Sequence, residues 1–391
     1  MQAPSLNFNL KLPRRGGADV VGLDIQPGHV AAVQAHVNGT IAVRHAAEAA
    51  LPADIVREGE VLDEGVLADT LRDLFKDGDL SKRVRLGVAN QRTVLRTLDL
   101  PPVDDRKEIE AAVRFQAQDQ VPMPLSNAVL DFHALGIVET PDGPRQRVVL
   151  VAAQRDMIQR LLAAVRDAGL RPEGIDLSAF ALIRSLYRPD PEHAGRVLYL
   201  NVDGLTNMAI AEGTLCRFTR VVGGGIEAMA SQLAERRSIP LFEARALIAA
   251  ADLTLQTAPA PEPVAQSVVA EAEAELEPES AVDPEASTAI VEIPAAEADV
   301  RIVLENGIRE IAGEVRNSLD FHRSQEGGGE VARVVLSGAA LDLTGFAEAL
   351  QEQLGIQVER ESVRSDEQQL GGVSAHRLAI AAGLAVEEAP R

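Results

Sequence analysis

The sequence predicts an α/β protein of two related lobes that close around a polar cleft, with a small α+β module inserted in the first lobe. Three observations lead there. The 391 residues are more than one core usually serves. One segment pattern occurs twice, and a mixed strand and helix stretch separates the two copies.

The first copy runs Val20-Val-Gly-Leu-Asp24-Ile-Gln26-Pro-Gly28-His-Val30 and continues through Asn38-Gly39-Thr40-Ile41. The second runs Val197-Leu-Tyr-Leu-Asn201-Val-Asp203-Gly204-Leu-Thr206 and continues through Glu212-Gly213-Thr214-Leu215. Each reads as a strand, a polar turn, a second strand and a tight turn into a third. Asn-Gly between β-rich runs is a strong hairpin signal and Glu-Gly a weaker one. A helix follows each meander, over 64–75 and over 225–236; in the first, Val66, Leu67, Thr70, Leu71 and Leu74 recur at helical spacing. Duplication sets the two polar turns facing each other, where a polyanion can be held.

The intervening stretch predicts strands over 84–90 and 94–100, a break at Pro101-Pro102, and a helix capped by Asp104 and running to about 118. Strands over 129–138 and 147–153 and an amphipathic helix over 156–168 complete it. Further on, a helix over 302–323 precedes an apolar strand, 331–336, that delivers Ser337-Gly338-Ala339-Ala340; the next helix begins near Asp342 or Thr344. The expected organisation is therefore an N-terminal peptide (1–18), a first lobe (19–195) carrying the module (about 84–170), a second lobe (196–386) and a short tail (387–391).

An acidic insertion interrupts the second lobe at 257–300, where eleven acidic residues and six prolines occur without one lysine or arginine. Such a segment buries too little apolar surface to offset its ordering entropy, so a solvated linker is its plain reading and a tether for a basic partner the alternative. The formal charge of −21 argues against nucleic acid or anionic lipid as partners. The longest apolar runs, such as 378–386, fall far short of the roughly 20 residues that span a bilayer, and no apolar leader opens the chain, so a soluble, internal protein is expected. One cysteine and seven scattered histidines speak against a disulfide framework or a histidine metal site. No Gly-Lys pair occurs, which excludes a Walker phosphate loop.

Candidate binding residues gather in four turns. Asp24, Gln26 and Gly28 in the first, and Asn201, Asp203, Gly204 and Thr206 in the second, sit where amides and hydroxyls can face phosphate oxygens. The carboxylates of Asp24 and Asp203 could hold magnesium through water. Gly223-Gly224-Gly225 opens a helix whose first turn holds Glu227 and offers amides to an anion. Ser337, Gly338 and Ala339 would let a flat base approach the backbone. Taken singly, each is equally a structural hairpin turn or a helix entry.

The order of these turns resembles the actin-like superfamily, and most closely the PilM family of type IV pilus assembly, with FtsA more distant. The most specific stretches are Glu110-Ala-Ala-Val-Arg114-Phe-Gln-Ala-Gln-Asp-Gln-Val121-Pro-Met-Pro124 with Val129-Leu-Asp-Phe132, and Val151-Ala-Ala-Gln-Arg-Asp156 running to Ala168-Gly-Leu170 and Ile175-Asp176. The resemblance covers nearly all of the chain except the insertion and the extreme termini. It implies duplicated RNase H-like lobes, ATP and Mg2+ as cofactors, and the cytoplasmic tail of a PilN-like membrane protein as partner among other platform proteins. It also implies a cytoplasmic scaffold that reaches the inner face of the membrane only through that partner.

Four departures weaken the phosphate contacts that the resemblance implies. In the first turn Gln26 stands where a close-approach glycine is usual and Pro27 removes an amide, Asn201 replaces an aspartate in the second, Ile226 stands where a lysine commonly follows the glycine turn, and only Gly338 remains of a commonly glycine-rich adenosine turn. Little or no ATP hydrolysis is therefore expected. An FtsA-like ATPase or filament former is the alternative, but the chain ends Glu387-Glu388-Ala-Pro-Arg391, without a basic amphipathic helix. A sugar kinase of the same superfamily would need intact phosphate turns. Leu6-Asn-Phe8-Asn-Leu10-Lys-Leu12-Pro13 alternates with strand period and looks similar to the Asn-Leu-Leu-Pro-like motif of PilN tails. The expectation is that this N-terminus can occupy the partner groove of its own or a neighbouring molecule, a form of self-association, with a frayed leader as the plain alternative.

Overall fold

The computed structural model describes residues 20–38, 40–76, 79–103, 105–189, 195–254, 295–325, 327–365, 370 and 372–387. The expected N-terminal peptide and most of the acidic insertion lie outside the described residues.

Strands β1 (Val21–Gln26), β2 (His29–Asn38) and β3 (Thr40–Ala50) form the first antiparallel meander. A short ribbon, β4 (Val56–Arg57) with β5 (Glu60–Val61), leads to α1 (Glu64–Leu74). Asp63 caps α1 by accepting from the Val66 amide, and Leu67, Ala68 and Leu71 form its buried stripe. β6 (Arg83–Val88) then pairs in parallel with β1.

The chain leaves the lobe to build a three-stranded sheet from β7 (Val94–Leu100), β8 (Ala128–Thr140) and β9 (Gly143–Gln154), in the order β7-β9-β8, covered by α2 (Arg106–Gln120). Its core joins Leu98, Leu100, Val148 and Leu150 to Ile109, Val113 and Ala117 of α2. The chain returns to the lobe as α3 (Arg155–Asp167), and β10 (Arg171–Leu177) completes a sheet of order β10-β6-β1-β2-β3.

α4 (Ser178–Leu186) leads into the second meander, β11 (Arg196–Val202), β12 (Thr206–Glu212) and β13 (Leu215–Val222). Helices α5 (Ile226–Arg237), α6 (Leu241–Ala249) and α7 (Ala295–Ser324) follow. β14 (Val331–Ser337), α8 (Phe346–Leu354), β15 (Val358–Arg360) and α9 (Ala379–Ala385) end the described fold. The second sheet has the order β13-β12-β11-β14-β15. Strand for strand this repeats the first sheet, with two antiparallel and two parallel neighbours in the same places.

Five layers result. α1 and α3 cover the outer face of the first sheet, and α5, α7 and α8 that of the second. Between the sheets lie α4 and α9, which exchange sides: α9 packs on β1 and β2, α4 packs on β11 and β12, and the two helices pack on each other. Their shared core runs from Val33 and Val43 through Leu182, Leu186, Ile380 and Leu384 to Tyr199 and Ala209. Arg85 donates to the Leu384 and Val386 carbonyls at 3.0 Å each, and Arg184 donates to the Gly383 carbonyl at 3.0 Å, capping α9 with buried charge. Among the described residues no helix is long and apolar enough to cross a membrane.

Three expected boundaries move. The module is narrower than 84–170, because β6 is a strand of the lobe's own sheet and α3 packs on α1; the separate sheet spans 94–154. The insertion ends before residue 300, because α7 already begins at Ala295 and Val300 is buried in the second lobe's core. The cap of α2 is Asp105, which accepts from the Lys107 amide at 2.7 Å, while Asp104, the expected cap, lies outside the described residues.

The interlobe helices meet without room for side chains. A Cβ at Gly383 would lie 1.9 Å from the Ala181 carbonyl oxygen, and one at Gly22 would lie 1.8 Å from that of Ala381. Gly383→Ala is therefore expected to destabilise the protein by at least about 1–3 kcal/mol. Gly313→Ala, at an open position within α7, is expected to stabilise it by about 0.5–1 kcal/mol. Denaturant midpoints of the two variants check the contrast.

Candidate functional site

The polar turns of the two meanders meet across the cleft between the lobes. β1 delivers Asp24 and Gln26, both almost fully buried, and the β1–β2 turn continues with Pro27 and Gly28. β11 delivers Asn201, and the β11–β12 turn supplies Asp203 and Gly204 before Thr206 starts β12. β14 ends on Ser337, beside Asn201 in the parallel ladder, and Gly338 and Ala339 follow.

Most polar groups here have a partner within the chain, Asn201 Oδ1 and His29 Nε2 excepted. Gln26 Nε2 donates to Asp24 Oδ2 at 2.7 Å, while Gln26 Oε1 accepts from the Leu205 amide at 3.2 Å. Asp203 faces His29 Nδ1 at 3.3 Å and accepts from the Gly204 amide at 3.0 Å and the Ala339 amide at 3.2 Å. Its carbonyl takes the Ile226 amide at 2.7 Å, the first free N–H of α5. Asn201 Nδ2 donates to Ser337 Oγ at 3.1 Å, and Thr206 Oγ1 to the Gly224 carbonyl at 2.5 Å. The Gly338 amide donates to the His376 carbonyl at 2.9 Å.

A cavity of about 370 Å³ opens beside these turns, within the range of small-molecule sites. Of the sequence-predicted residues, Gly28, Asp203, Gly204, Glu227 and Ala339 line it. Asp24, Gln26, Asn201, Thr206, Ser337 and Gly338 lie behind that surface. Gly225 packs against Asp203, where a Cβ would lie 2.3 Å from its carbonyl oxygen, and Gly223 faces Gln91 on the other side of the turn.

The remaining charged lining carried no motif in the sequence. Arg245 of α6 grips Glu227, with Nε to Oε2 at 2.9 Å and a second contact from Nη2 to Oε1, and reaches the Leu51 carbonyl of the first lobe at 3.3 Å. Arg377 donates to Asp342 Oδ2 at 3.0 Å. Burial pulls the Arg377 pKa down, but Asp203, Asp342 and Glu48 outweigh it, so the pKa is raised. Glu48, Asp203, Glu227 and Asp342 against Arg245 and Arg377 leave the wall acidic.

This donor set does not fit a metal-bound triphosphate. The amides of Gly204, Leu205, Ile226, Gly338 and Ala339 are already used, Pro27 has none, and the acidic lining opposes a polyanion. Asp24 lies out of reach of the cavity, and among the described residues no group of three or more His, Cys, Asp or Glu side chains is arranged to hold a metal.

Two duplicated five-stranded lobes, joined by an exchanged helix pair and facing each other across a cleft, define a protein of the actin-like fold. The family model described as type IV pilus assembly protein PilM matches residues 22–200, the first lobe and the start of the second. A solved PilM-PilN type IV pilus biogenesis complex is similar at 21% identity and a TM-score of 0.70, covering 94% of this chain and 97% of that one. The ethanolamine utilization protein EutJ of Carboxydothermus hydrogenoformans matches at 15% identity and a TM-score of 0.48, over 93% of this chain and 88% of its own. MreB5 of Spiroplasma citri bound to AMPPNP matches at 12% identity and 0.46, over 93% and 94%.

Burial raises the Asp24 pKa from 3.8 to about 6, with Asp203 adding to the rise and His29 and Gln26 opposing it. The folded carboxyl thus keeps its proton over a window in which the unfolded one has lost it. Stability from this group is complete below about pH 3.8 and declines as the pH rises through about 6. Relative to wild type, Asp24→Asn is expected to gain about 2–3 kcal/mol of unfolding free energy between about pH 4 and pH 7. Urea denaturation at the two pH values checks this.

Proposed function

We propose that the protein is an assembly scaffold of a type IV pilus, or of a related secretion machine. Its first lobe and inserted module take up the cytoplasmic tail of a PilN-like membrane protein, and that tail holds it at the inner face of the cell membrane beside the other platform proteins. Binding a partner is its task, with little or no ATP hydrolysis.

The contrast between the cleft and the module carries this reading. The cleft groups that would hold phosphate are paired with one another, whereas α2 presents Phe115, 72% exposed, in the sequence stretch most specific to the family. A large aromatic side chain held in water is the kind of anchor that protein interfaces bury. The match of residues 22–200 to a pilus assembly family model and the likeness to a PilM-PilN complex support the choice of partner.

Fluorescence anisotropy with a labelled PilN-like tail peptide tests the proposal. Saturable binding is expected, and Phe115→Ala should weaken it by about tenfold or more while leaving the thermal midpoint unchanged. Absence of binding, or rapid magnesium-dependent phosphate release by the purified chain, would replace the scaffold with an ATPase of the FtsA kind.

A further inference from the structure

We infer that the protein carries its own cleft ligand: the Gln26 side chain, lodged between the facing turns, bridges the lobes where a metal-bound triphosphate would otherwise be gripped, so the closed arrangement does not depend on nucleotide. This rests on the scaffold reading above and deepens it.

Gln26 is 1% exposed and uses both ends of its amide. Nε2 donates to Asp24 of the first lobe, and Oε1 accepts from the Leu205 amide of the second. One neutral side chain therefore gives a buried carboxyl its donor and occupies a turn amide of the kind that could meet an anion. An alanine or glycine at this position would strand both groups.

Two further crossings act beside it. His29 of the first lobe meets Asp203 of the second, and Arg245 of the second reaches the Leu51 carbonyl of the first. The turns themselves touch: a Cβ at Gly204 would lie 2.2 Å from the Pro27 carbonyl oxygen, so no gap remains between them for a phosphate and its metal. Asp24 is sealed behind Gln26 and does not line the cavity. The cavity that remains is bounded by the outer surfaces of turns already joined.

Hydrogen exchange at the Leu205 amide reads the bridge directly, using the full chain as wild type, Gln26→Ala and Gln26→Met. Methionine keeps the side-chain length and removes both polar ends, so it serves if the alanine variant fails to fold. Exchange at Leu205 should quicken on the order of tenfold or more in either variant, as expected for a buried amide that loses its acceptor. The wild-type thermal midpoint should not move with millimolar ATP and magnesium, because a ligand that binds the native state must raise it. Unchanged exchange at Leu205 in the variants, or a wild-type midpoint raised by ATP and magnesium, overturns the inference. Tail-peptide binding, measured on the same samples, separates the two readings. Loss of all binding sinks the scaffold while leaving the exchange result to decide the bridge.

Discussion

The backbone of α9 runs against β1 and α4 with nothing but hydrogen atoms between them, and most of the architecture follows from that contact. Gly22 and Gly383 are the positions that allow it, since a Cβ at either would overlap a backbone carbonyl oxygen. Because the helices interlock, the apolar surfaces of both sheets close around one continuous core that belongs to neither lobe alone. Close-packed interiors of this kind are hardly compressible, so this contact sets the spacing of the two sheets. The turns at the ends of β1 and β11 inherit that fixed spacing.

Within it, the chemistry of the cleft is self-contained. A nucleotide site needs unpaired amides, a cation and a reachable carboxylate. Here the amides are taken by Gln26, Asp203 and a neighbouring carbonyl, and the nearby cations Arg245 and Arg377 are engaged by Glu227 and Asp342. Buried polar groups that satisfy each other in this way stiffen the region they join. The inserted module behaves oppositely: it has its own small core, extends from the lobe on β7 and β9, and leaves an aromatic side chain in solvent.

Much of the fold was legible because its signals are local. The two meanders repeat a pattern of apolar runs and Gly-containing turns, and both sheets carry it in the same strand order. The helices Ser178–Leu186 and Ala379–Ala385 escape the sequence reading because they are short and buried almost all round, and a short apolar run can equally be a central strand. The parallel pairing of β6 with β1 likewise depends on residues more than sixty apart, which moved the module's boundary. At the site, the turns could be found from their glycines and acids. His29, Arg245, Asp342 and Arg377 could not, because they occupy ordinary positions and become neighbours only when the lobes close. Gln26 stood out in the sequence as a missing glycine; its reach to Leu205 required the second lobe to be in place.

The exchange of α4 and α9 also bears on how the polypeptide comes into being. The first lobe's inner face, formed by β1 and β2, is covered by a helix encoded some 340 residues later, so a growing chain emerging from the ribosome must hold that apolar face uncovered through most of its synthesis. Contacts of such long range make closure late and slow. Premature termination anywhere upstream of α9 would release a fragment whose β1–β2 face lacks its cover.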